Sequence, residues 1–184
     1  MSRSPRIANV KGLLVQRSSI PAYHLTMGSS PYMAAVRAKL GTDLLFIPAA
    51  GMAVFDNEGR LLLARELDGD RWTTPGGAIE PGESPLDAAI RELLQETGFQ
   101  CGDCELFGAY GGPEFEITYR DGNRVAYVSI MYGCRDVRGE LRLQPDELQE
   151  VRWVAEHEAL DLPLPDTTRM ILPDAFDWWR ATSN

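Results

Sequence analysis

The sequence lacks any apolar stretch long enough to cross a membrane. Its longest mainly apolar segment, 44–55, has 12 residues and is interrupted by Pro48 and Gly51, whereas a membrane-spanning helix needs about 18. The apolar segment 12–15 near the amino terminus is also too short for the centre of a secretory signal. We therefore predict a cytoplasmic protein that does not bind a membrane.

Cysteine and histidine are scarce, with three Cys and two His among 184 residues. An odd number of cysteines cannot form a closed set of disulfides, and cytoplasmic thiols are kept reduced. Cys101 and Cys104 form one C-x-x-C motif, but no second pair accompanies it, and His24 and His157 are the only histidines. This composition favours two small, partly buried thiols over a structural zinc site.

Acidic residues are absent from the first 42 positions, which contain six basic residues. Residues 43–184 carry 12 basic and 27 acidic side chains, a net charge of −15. Such a body repels a nucleic-acid backbone but attracts divalent cations, which can hold a phosphorylated substrate. We expect a basic amino-terminal arm with a short helix at 1–42 and an acidic domain at 43–184. The arm either docks on that domain, in the same chain or in a second subunit, or stays solvated, and a transit peptide is a third interpretation.

Capping and turn residues predict a mixed sheet with helices before, within and after it. Ser30-Pro31 is typical of a helix start, and Ser84-Pro85 with Gly98 delimits a longer central helix. Strand-like segments lie at 44–55, 60–66, 104–110, 114–120, 123–135 and 150–154. The first two should form a hairpin, and a last helix should begin at Thr167 and be interrupted by Pro173. The fold class is therefore α/β or α+β with covered sheet faces.

The central helix presents two different faces at 100° per residue. One face is apolar and should lie in the core: Leu86, Ile90, Leu93, Leu94 and Thr97. The other brings together Glu92, Gln95 and Glu96, spaced i, i+3 and i+4. Two carboxylates so close repel each other unless a cation lies between them, and a solvated acidic face is the alternative interpretation.

A glycine-rich loop precedes this helix. Gly76 and Gly77 can bring their backbone groups close to a ligand because no Cβ intervenes, so Gly77 is a candidate for substrate contact. Glu92, Glu96 and a carbonyl of the loop would supply hard oxygen ligands for Mg²⁺ or Mn²⁺. Such a site suits hydrolysis of a phosphorylated substrate.

The same residues belong to a longer motif. Gly77, Glu83 and the run 91–99 follow the pattern G-x5-E-x7-R-E-U-x-E-E-x-G-U, with U apolar, at every specified position except one. This 23-residue pattern resembles the Nudix box. The later segment Glu147-x5-Trp153 is similar to the flanking pattern of the same family. The resemblance implies a Nudix-type α/β/α sandwich with a mixed β-sheet.

Carried over position by position, the resemblance assigns roles to the matching residues. Glu92 and Glu96 would bind the catalytic metal ion, with the carbonyl of Gly76 as a further ligand. Glu83 would pair with Arg91 and hold the loop against the helix, which is a structural role.

Substrate contacts are implied on the neighbouring strands. Arg65 matches a position that often contacts substrate phosphate, with an exposed strand-end arginine as the alternative. The aromatic residues Trp72, Phe115, Tyr119 and Tyr127 are candidates for stacking on a base, although core packing explains Phe115 and Tyr127 well.

The one departure from the motif is Gln95, which stands where the family usually has a carboxylate metal ligand. An amide oxygen can coordinate a hard cation, but it adds no charge and cannot act as a base. We expect Gln95 to remain a weaker metal ligand, with Glu92 and Glu147 as the candidate catalytic carboxylates. Glu147 matches the place of a base outside the helix in some members of the family.

The resemblance covers roughly residues 45–160 and implies hydrolysis of a phosphoanhydride bond by water, with Mg²⁺ or Mn²⁺ as cofactor. The expected substrate is a nucleoside diphosphate linked to another group, as in ADP-ribose, a nucleotide sugar or a dinucleotide. Two alternatives stay open: a house-cleaning hydrolase of nucleoside triphosphates, and a nucleotide-binding module weakened by Gln95. Family members are often homodimers, so we expect a homodimer. Without a helix-turn-helix or a basic recognition helix, no binding to a DNA or RNA duplex is expected.

Overall fold

The computed structural model describes residues 30–67, 71–119, 121–143 and 148–183. Its helices are α1 Pro31–Leu40, α2 Pro85–Thr97, α3 Glu156–Asp161 and α4 Asp166–Thr182. Its strands are β1 Leu45–Val54, β2 Leu61–Glu66, β3 Trp72–Thr73, β4 Gly76–Ala78, β5 Gln100–Cys101, β6 Cys104–Tyr110, β7 Glu116–Thr118, β8 Arg124–Cys134, β9 Val137–Arg138 and β10 Leu148–Val154. No helix in these ranges is both long and apolar enough to cross a membrane.

The larger sheet has the order β4-β1-β8-β6, and β7 pairs with β8 outside this path. Its central pair, β1 and β8, is parallel, whereas β4, β6 and β7 pair antiparallel with their neighbours. A second antiparallel sheet has the order β10-β2-β3, and β5 pairs with β9. The prediction of a mixed sheet is therefore confirmed.

Strand β1 is buried on both faces because helices cover the sheet from two sides. Successive side chains of a strand point in opposite directions. Met52 and Val54 accordingly share one buried cluster with Leu93 of α2, while Ala53 shares another with Phe176 of α4. The sheet between α2 and α4 is the α/β/α sandwich that the resemblance implied.

Helix α2 begins and ends at the predicted residues because its caps are local. The Ser84 hydroxyl accepts a hydrogen bond from the Asp87 backbone N–H at 3.2 Å, which satisfies one of the free amides of the first turn. At the other end Gly98 adopts φ +77°, and its N–H donates to the Leu94 carbonyl. A left-handed residue is easiest for glycine, so the helix stops there.

The buried face of α2 differs from the predicted apolar face. Leu93 and Thr97 are fully buried as expected, but Leu94 is 39% exposed. The helix instead turns Ala88 and Ala89 towards the sheet, and both are fully buried. Small side chains let the helix approach the sheet closely, and Leu94 then lies at the boundary with solvent.

Two further predictions about the elements were wrong. β1 and β2 are joined by the predicted turn, but they share only the isolated bridge Phe55–Leu61 and then enter separate sheets. Pro173 does not interrupt the last helix, because α4 continues through it. The residues beside the proline, Leu172 and Ala175, are buried in the core, and this packing offsets the missing backbone hydrogen bond.

Candidate active site

The carboxylates of α2 face the protein rather than the solvent. Glu96 is only 9% exposed, and the side chain of Glu92 is 15% exposed. Charged side chains are rarely buried unless they are paired or bind a cation. This burial excludes the interpretation of α2 as a solvated acidic face.

Glu83 and Arg91 form the ion pair that the motif implied. The Arg91 Nε donates to Glu83 Oε1 at 2.8 Å, and its Nη2 donates to Glu83 Oε2 at 3.0 Å. The same Nη2 donates to the Ala78 carbonyl at 3.0 Å. The hydrogen bond with Glu83 raises the pKa of Arg91 above its usual value. One guanidinium thus connects the loop, strand β4 and helix α2.

Arg91 also reaches the two oxygen-bearing side chains next to it on the helix. Its Nη1 donates to Glu92 Oε1 at 2.6 Å and to Gln95 Oε1 at 3.2 Å. The amide oxygen of Gln95 therefore lies in the same polar cluster as the carboxylate of Glu92. This arrangement keeps Gln95 in place as a neutral oxygen donor beside Glu92.

The two glycines of β4 make room for different groups: Gly77 for the Glu92 carboxylate and Gly76 for the backbone of β1. A Cβ at Gly77 would lie 2.3 Å from Glu92 Oε1, and a Cβ at Gly76 would lie 2.8 Å from the Ala50 carbonyl oxygen. Any side chain at Gly77 would displace Glu92. The strand edge and the helix thus combine carboxylate, amide and carbonyl oxygens, which are the donors that a hard divalent cation prefers. The donor set fits Mg²⁺ or Mn²⁺.

An open cleft of about 240 Å³ adjoins the Gly76-Gly77 strand. Its lining combines strand residues of β1 and β8 with the start of α4 and the turn before β7. The side chains most relevant to ligand contact are Phe115, Tyr119, Tyr127, Ser129, Met131 and Thr168. None of the described residues that line it carries a charge. The cleft is therefore suited to an uncharged, partly aromatic group such as a nucleobase.

Three of the four predicted aromatic candidates line this cleft. Phe115 is only 2% exposed, whereas Tyr119 and Tyr127 are half-buried. The hydroxyl oxygens of the two tyrosines are 2.9 Å apart. This hydrogen bond fixes the orientation of both rings at the side of the cleft.

Neither Trp72 nor Arg65 lines the cleft. Burial argues against stacking of a base on Trp72, whereas the expected contact of Arg65 with a substrate phosphate stays a prediction. Trp72 is 3% exposed in the core, and the guanidinium of Arg152 lies 5.0 Å from its ring centroid. A base has no access to a face of this ring. Arg65 Nη1 lies 3.5 Å from Glu150 Oε2, its cross-strand partner, and a cation held by a carboxylate is less available to a phosphate.

Glu147 falls outside the described residues, and its role as a base stays a prediction. Sequence reasoning missed Ser129, Met131, Thr168 and Ile171, which line the cleft. The signal for two of them was present: in β8 every second residue shares a face, so Ser129 and Met131 follow Tyr127 on the cleft side. No local pattern could have brought α4 to the same cleft.

Comparison with known proteins is consistent with this arrangement. The family model described as NUDIX domain matches residues 45–175. The RNA pyrophosphohydrolase of Halorhodospira halophila is 32% identical over 120 residues, which are 59% of this chain and 66% of that protein. A Bacillus subtilis protein named "Putative 8-oxo-dGTP diphosphatase" is 28% identical over 127 residues, 69% of this chain and 78% of that protein.

The fold also resembles that of a solved NUDIX hydrolase structure. The crystal structure of the MutT NUDIX hydrolase from Burkholderia pseudomallei superposes with a TM-score of 0.57 at 26% sequence identity. The match covers 71% of this chain and 98% of that one. The aligned part therefore includes nearly the whole of the other protein.

Proposed function

Because the chain belongs to the Nudix hydrolase family, we propose that it hydrolyses the pyrophosphate linkage of a substrate with a single nucleoside, of the nucleoside triphosphate class. From the sequence we expected a nucleoside diphosphate linked to another group, with the nucleoside triphosphate class as the alternative. We prefer that alternative for the reasons that follow.

The size of the cleft carries this preference. Its volume of about 240 Å³ is below the ~300–1,000 Å³ typical of sites that enclose a drug-sized ligand. One base fits such a space, and a second nucleoside or sugar would have to remain outside. A substrate with one nucleoside places its base in the cleft and leaves no second nucleoside or sugar outside it.

The chemistry of the lining supports the same orientation. The uncharged cleft suits the base, while the oxygen donors beside Gly76 and Gly77 lie at its edge. Phosphates are stabilised by cations rather than by apolar walls. The base would therefore occupy the cleft, and the phosphate chain would extend towards Glu92 and Glu96.

We assign the following roles to the residues of this site. Glu92 and Glu96, with the Gly76 carbonyl and the Gln95 amide oxygen, hold a divalent cation, Mg²⁺ or Mn²⁺. When bound, such an ion stabilises phosphate charge and activates water for attack at phosphorus. Arg91 orients the Glu92 carboxylate through its 2.6 Å hydrogen bond, and Gly77 keeps the space beside that carboxylate open.

The name of one relative supports this substrate class, whereas the name of the other supports only the chemistry. One is named for RNA pyrophosphohydrolase activity and the other for 8-oxo-dGTP diphosphatase activity. Both names describe pyrophosphate chemistry, and neither refers to ADP-ribose. The acidic body of this chain opposes tight binding of an RNA backbone, which favours a free nucleotide. A cytoplasmic location and a homodimer stay predictions.

A nucleotide panel tests the proposal. The full chain is incubated with Mg²⁺ and nucleoside triphosphates, an oxidised purine triphosphate, ADP-ribose, a nucleotide sugar, a dinucleoside polyphosphate and a 5′-triphosphorylated RNA oligonucleotide. We expect release of pyrophosphate and a nucleoside monophosphate from a triphosphate, with the highest kcat/KM of the panel. A higher kcat/KM for ADP-ribose, the dinucleotide or the RNA would contradict the substrate assignment, and inactivity on all of them would favour a binding module.

The metal assignment has its own test in Glu96→Gln. The change removes a charged oxygen from the ion that stabilises the transition state, so turnover should fall by about 10²-fold or more. Glu105→Gln is the matched control, because Glu105 is an exposed glutamate on β6. Near-normal turnover of Glu96→Gln at both saturating and limiting Mg²⁺ would overturn the assignment.

A further inference from the structure

All three cysteines of the chain meet at the end of the larger sheet that carries the carboxyl terminus of β8. The sulfur atoms of Cys101, Cys104 and Cys134 all lie within 4.8 Å of one another. Those of Cys101 and Cys104 are 3.2 Å apart, well beyond the ~2.05 Å of a disulfide bond. The cluster therefore consists of three thiols that are not joined by disulfide bonds.

The backbone holds these thiols in place through three separate pairings. Cys104 is the cross-strand partner of Cys134 in the β6–β8 ladder, and Cys101 is the partner of Val137 in the β5–β9 pair. The Gly102 N–H also donates to the Asp136 carbonyl at 2.6 Å. A metal site binds more tightly when its ligands are held near their final positions before binding, and this frame holds the three cysteines there.

We propose that Cys101, Cys104 and Cys134 form a binding site for a thiophilic divalent cation of the zinc class. Three sulfurs at ~2.3 Å from one tetrahedral ion are ~3.8 Å apart. The observed spacings, from 3.2 Å to at most 4.8 Å, bracket this value, so small side-chain rotations complete the site. Thiolate ligands select zinc-class ions over Mg²⁺, which separates this site from the oxygen donors of α2.

The burial of the three cysteines and the charge near them favour a single ion, with a water molecule as its fourth ligand. Cys101 and Cys134 are 6% and 0% exposed, whereas Cys104 is only partly buried. A water molecule can therefore reach the ion from the Cys104 side and complete four-coordination. The exposed carboxylate of Asp103, next to Cys104 in the chain, adds attraction for a cation.

Binding releases protons, because a thiol binds a metal ion as the thiolate. A thiol with the ordinary pKa of about 8.5 is mainly protonated at neutral pH. The balanced step is the exchange of three S–H protons for one M²⁺ ion, which gives three metal–sulfur bonds and three released protons.

Cadmium titration of the reduced full chain tests the site, since Cd²⁺ bound to thiolate absorbs in the ultraviolet. We expect a charge-transfer band that saturates at one ion per chain, release of three protons, and a weaker band in a large excess of Zn²⁺, which competes for the same thiolates. Zn²⁺ should also raise the melting temperature, because an ion that binds only the folded state stabilises it.

Cys104→Ser is the first variant because Cys104 is the least buried of the three cysteines. It should weaken Cd²⁺ binding by more than the roughly 10–100-fold typical of losing an outer-shell partner, while its Mg²⁺-dependent hydrolysis stays unchanged. Cys101→Ser should weaken binding in the same way. Glu96→Gln, which lacks a carboxylate of the α2 site, should keep the full thiolate band.

Two results would overturn the proposal. One is a reduced and folded wild-type chain, checked by circular dichroism, that gives no thiolate band. The other is a Cys104→Ser variant that binds Cd²⁺ with undiminished affinity. Neither result depends on hydrolysis, so a failed substrate assignment is distinguishable from a failed metal site.

Discussion

The absence of a side chain at Gly77 determines where the charged side chain of Glu92 can lie. The missing side chain leaves the space that the Glu92 carboxylate occupies at the edge of β4. Arg91 donates a 2.6 Å hydrogen bond to the same carboxylate. The position of Glu92 therefore depends on Gly77 of β4 and on the guanidinium of Arg91 in α2.

Gly77→Ala should lower kcat by about 10²-fold, because a displacement of a catalytic group by ~1 Å costs that much. The new Cβ would lie 2.3 Å from Glu92 Oε1, so the carboxylate has to move. Gly111→Ala is the control, since a Cβ there meets nothing closer than 3.4 Å. Steady-state kinetics would contradict the expectation if both variants kept wild-type turnover.

Gln95→Glu should lower the Mg²⁺ concentration for half-maximal activity by roughly threefold to tenfold. A new carboxylate in the cluster of Arg91 and Glu92 adds attraction for a cation, and ~1 kcal/mol corresponds to a severalfold change in binding. Activity measured across a Mg²⁺ titration provides the test. An unchanged or higher requirement would mean that the side chain at position 95 does not contact the ion.

At the scale of the elements, Arg135 joins the end of β8 to the carboxyl end of α4. Its guanidinium lies 5.1 Å and 4.7 Å from the ring centroids of Trp178 and Trp179. It also donates hydrogen bonds to the carbonyls of Thr182 and, at 3.0 Å, Trp179. Cations stabilise the carbonyl end of a helix, so this contact fixes α4 against the sheet.

Arg135→Ala should lower the free energy of unfolding by about 2 kcal/mol, from lost cation–π contacts and charged hydrogen bonds. Chemical denaturation measures the change. Arg138→Ala is the control, because the Arg138 side chain is 75% exposed and pairs only at the surface with Asp136. Equal stabilities of the two variants would show that Arg135 does not hold α4.

At the scale of the whole molecule, charge is divided between an acid-free amino terminus and an acidic body. Residues 1–29 lie outside the described residues, so their docking stays a prediction. Near the point where the chain enters the sheet, Leu44 and Phe46 are 43% and 65% exposed. These exposed apolar side chains belong to the acidic body, whose charge is opposite to that of the basic arm. They offer a surface that the arm can bury, in the same chain or in a second copy.

Removal of residues 1–28 should convert a dimer into a monomer, lower the melting temperature and raise the KM for substrate. Opposite charges of this size attract over several ångströms, although physiological salt screens them beyond ~8 Å. Light scattering reports the mass, and the full chain is the reference. The prediction fails if mass, melting temperature and KM are all the same in both proteins.

The sequence by itself determined the features that rest on near neighbours along the chain. The Ser84 cap, the left-handed Gly98 and the i, i+4 spacing of Glu92 and Glu96 act within about one helical turn, so α2 and its carboxylates were predictable. The motif extended this local information to the contact between Glu83 and Arg91. Short-range interactions of this kind need no knowledge of the rest of the fold.

Only the tertiary structure decided which separate segments meet. It placed β2 with β10 instead of β1, buried Trp72 under Arg152, and brought α4 to the cleft. It also joined Cys134 to a C-x-x-C motif some 30 residues earlier in the chain. Such contacts depend on competition among many distant pairings for the same buried surface, and no pattern within one segment encodes the outcome.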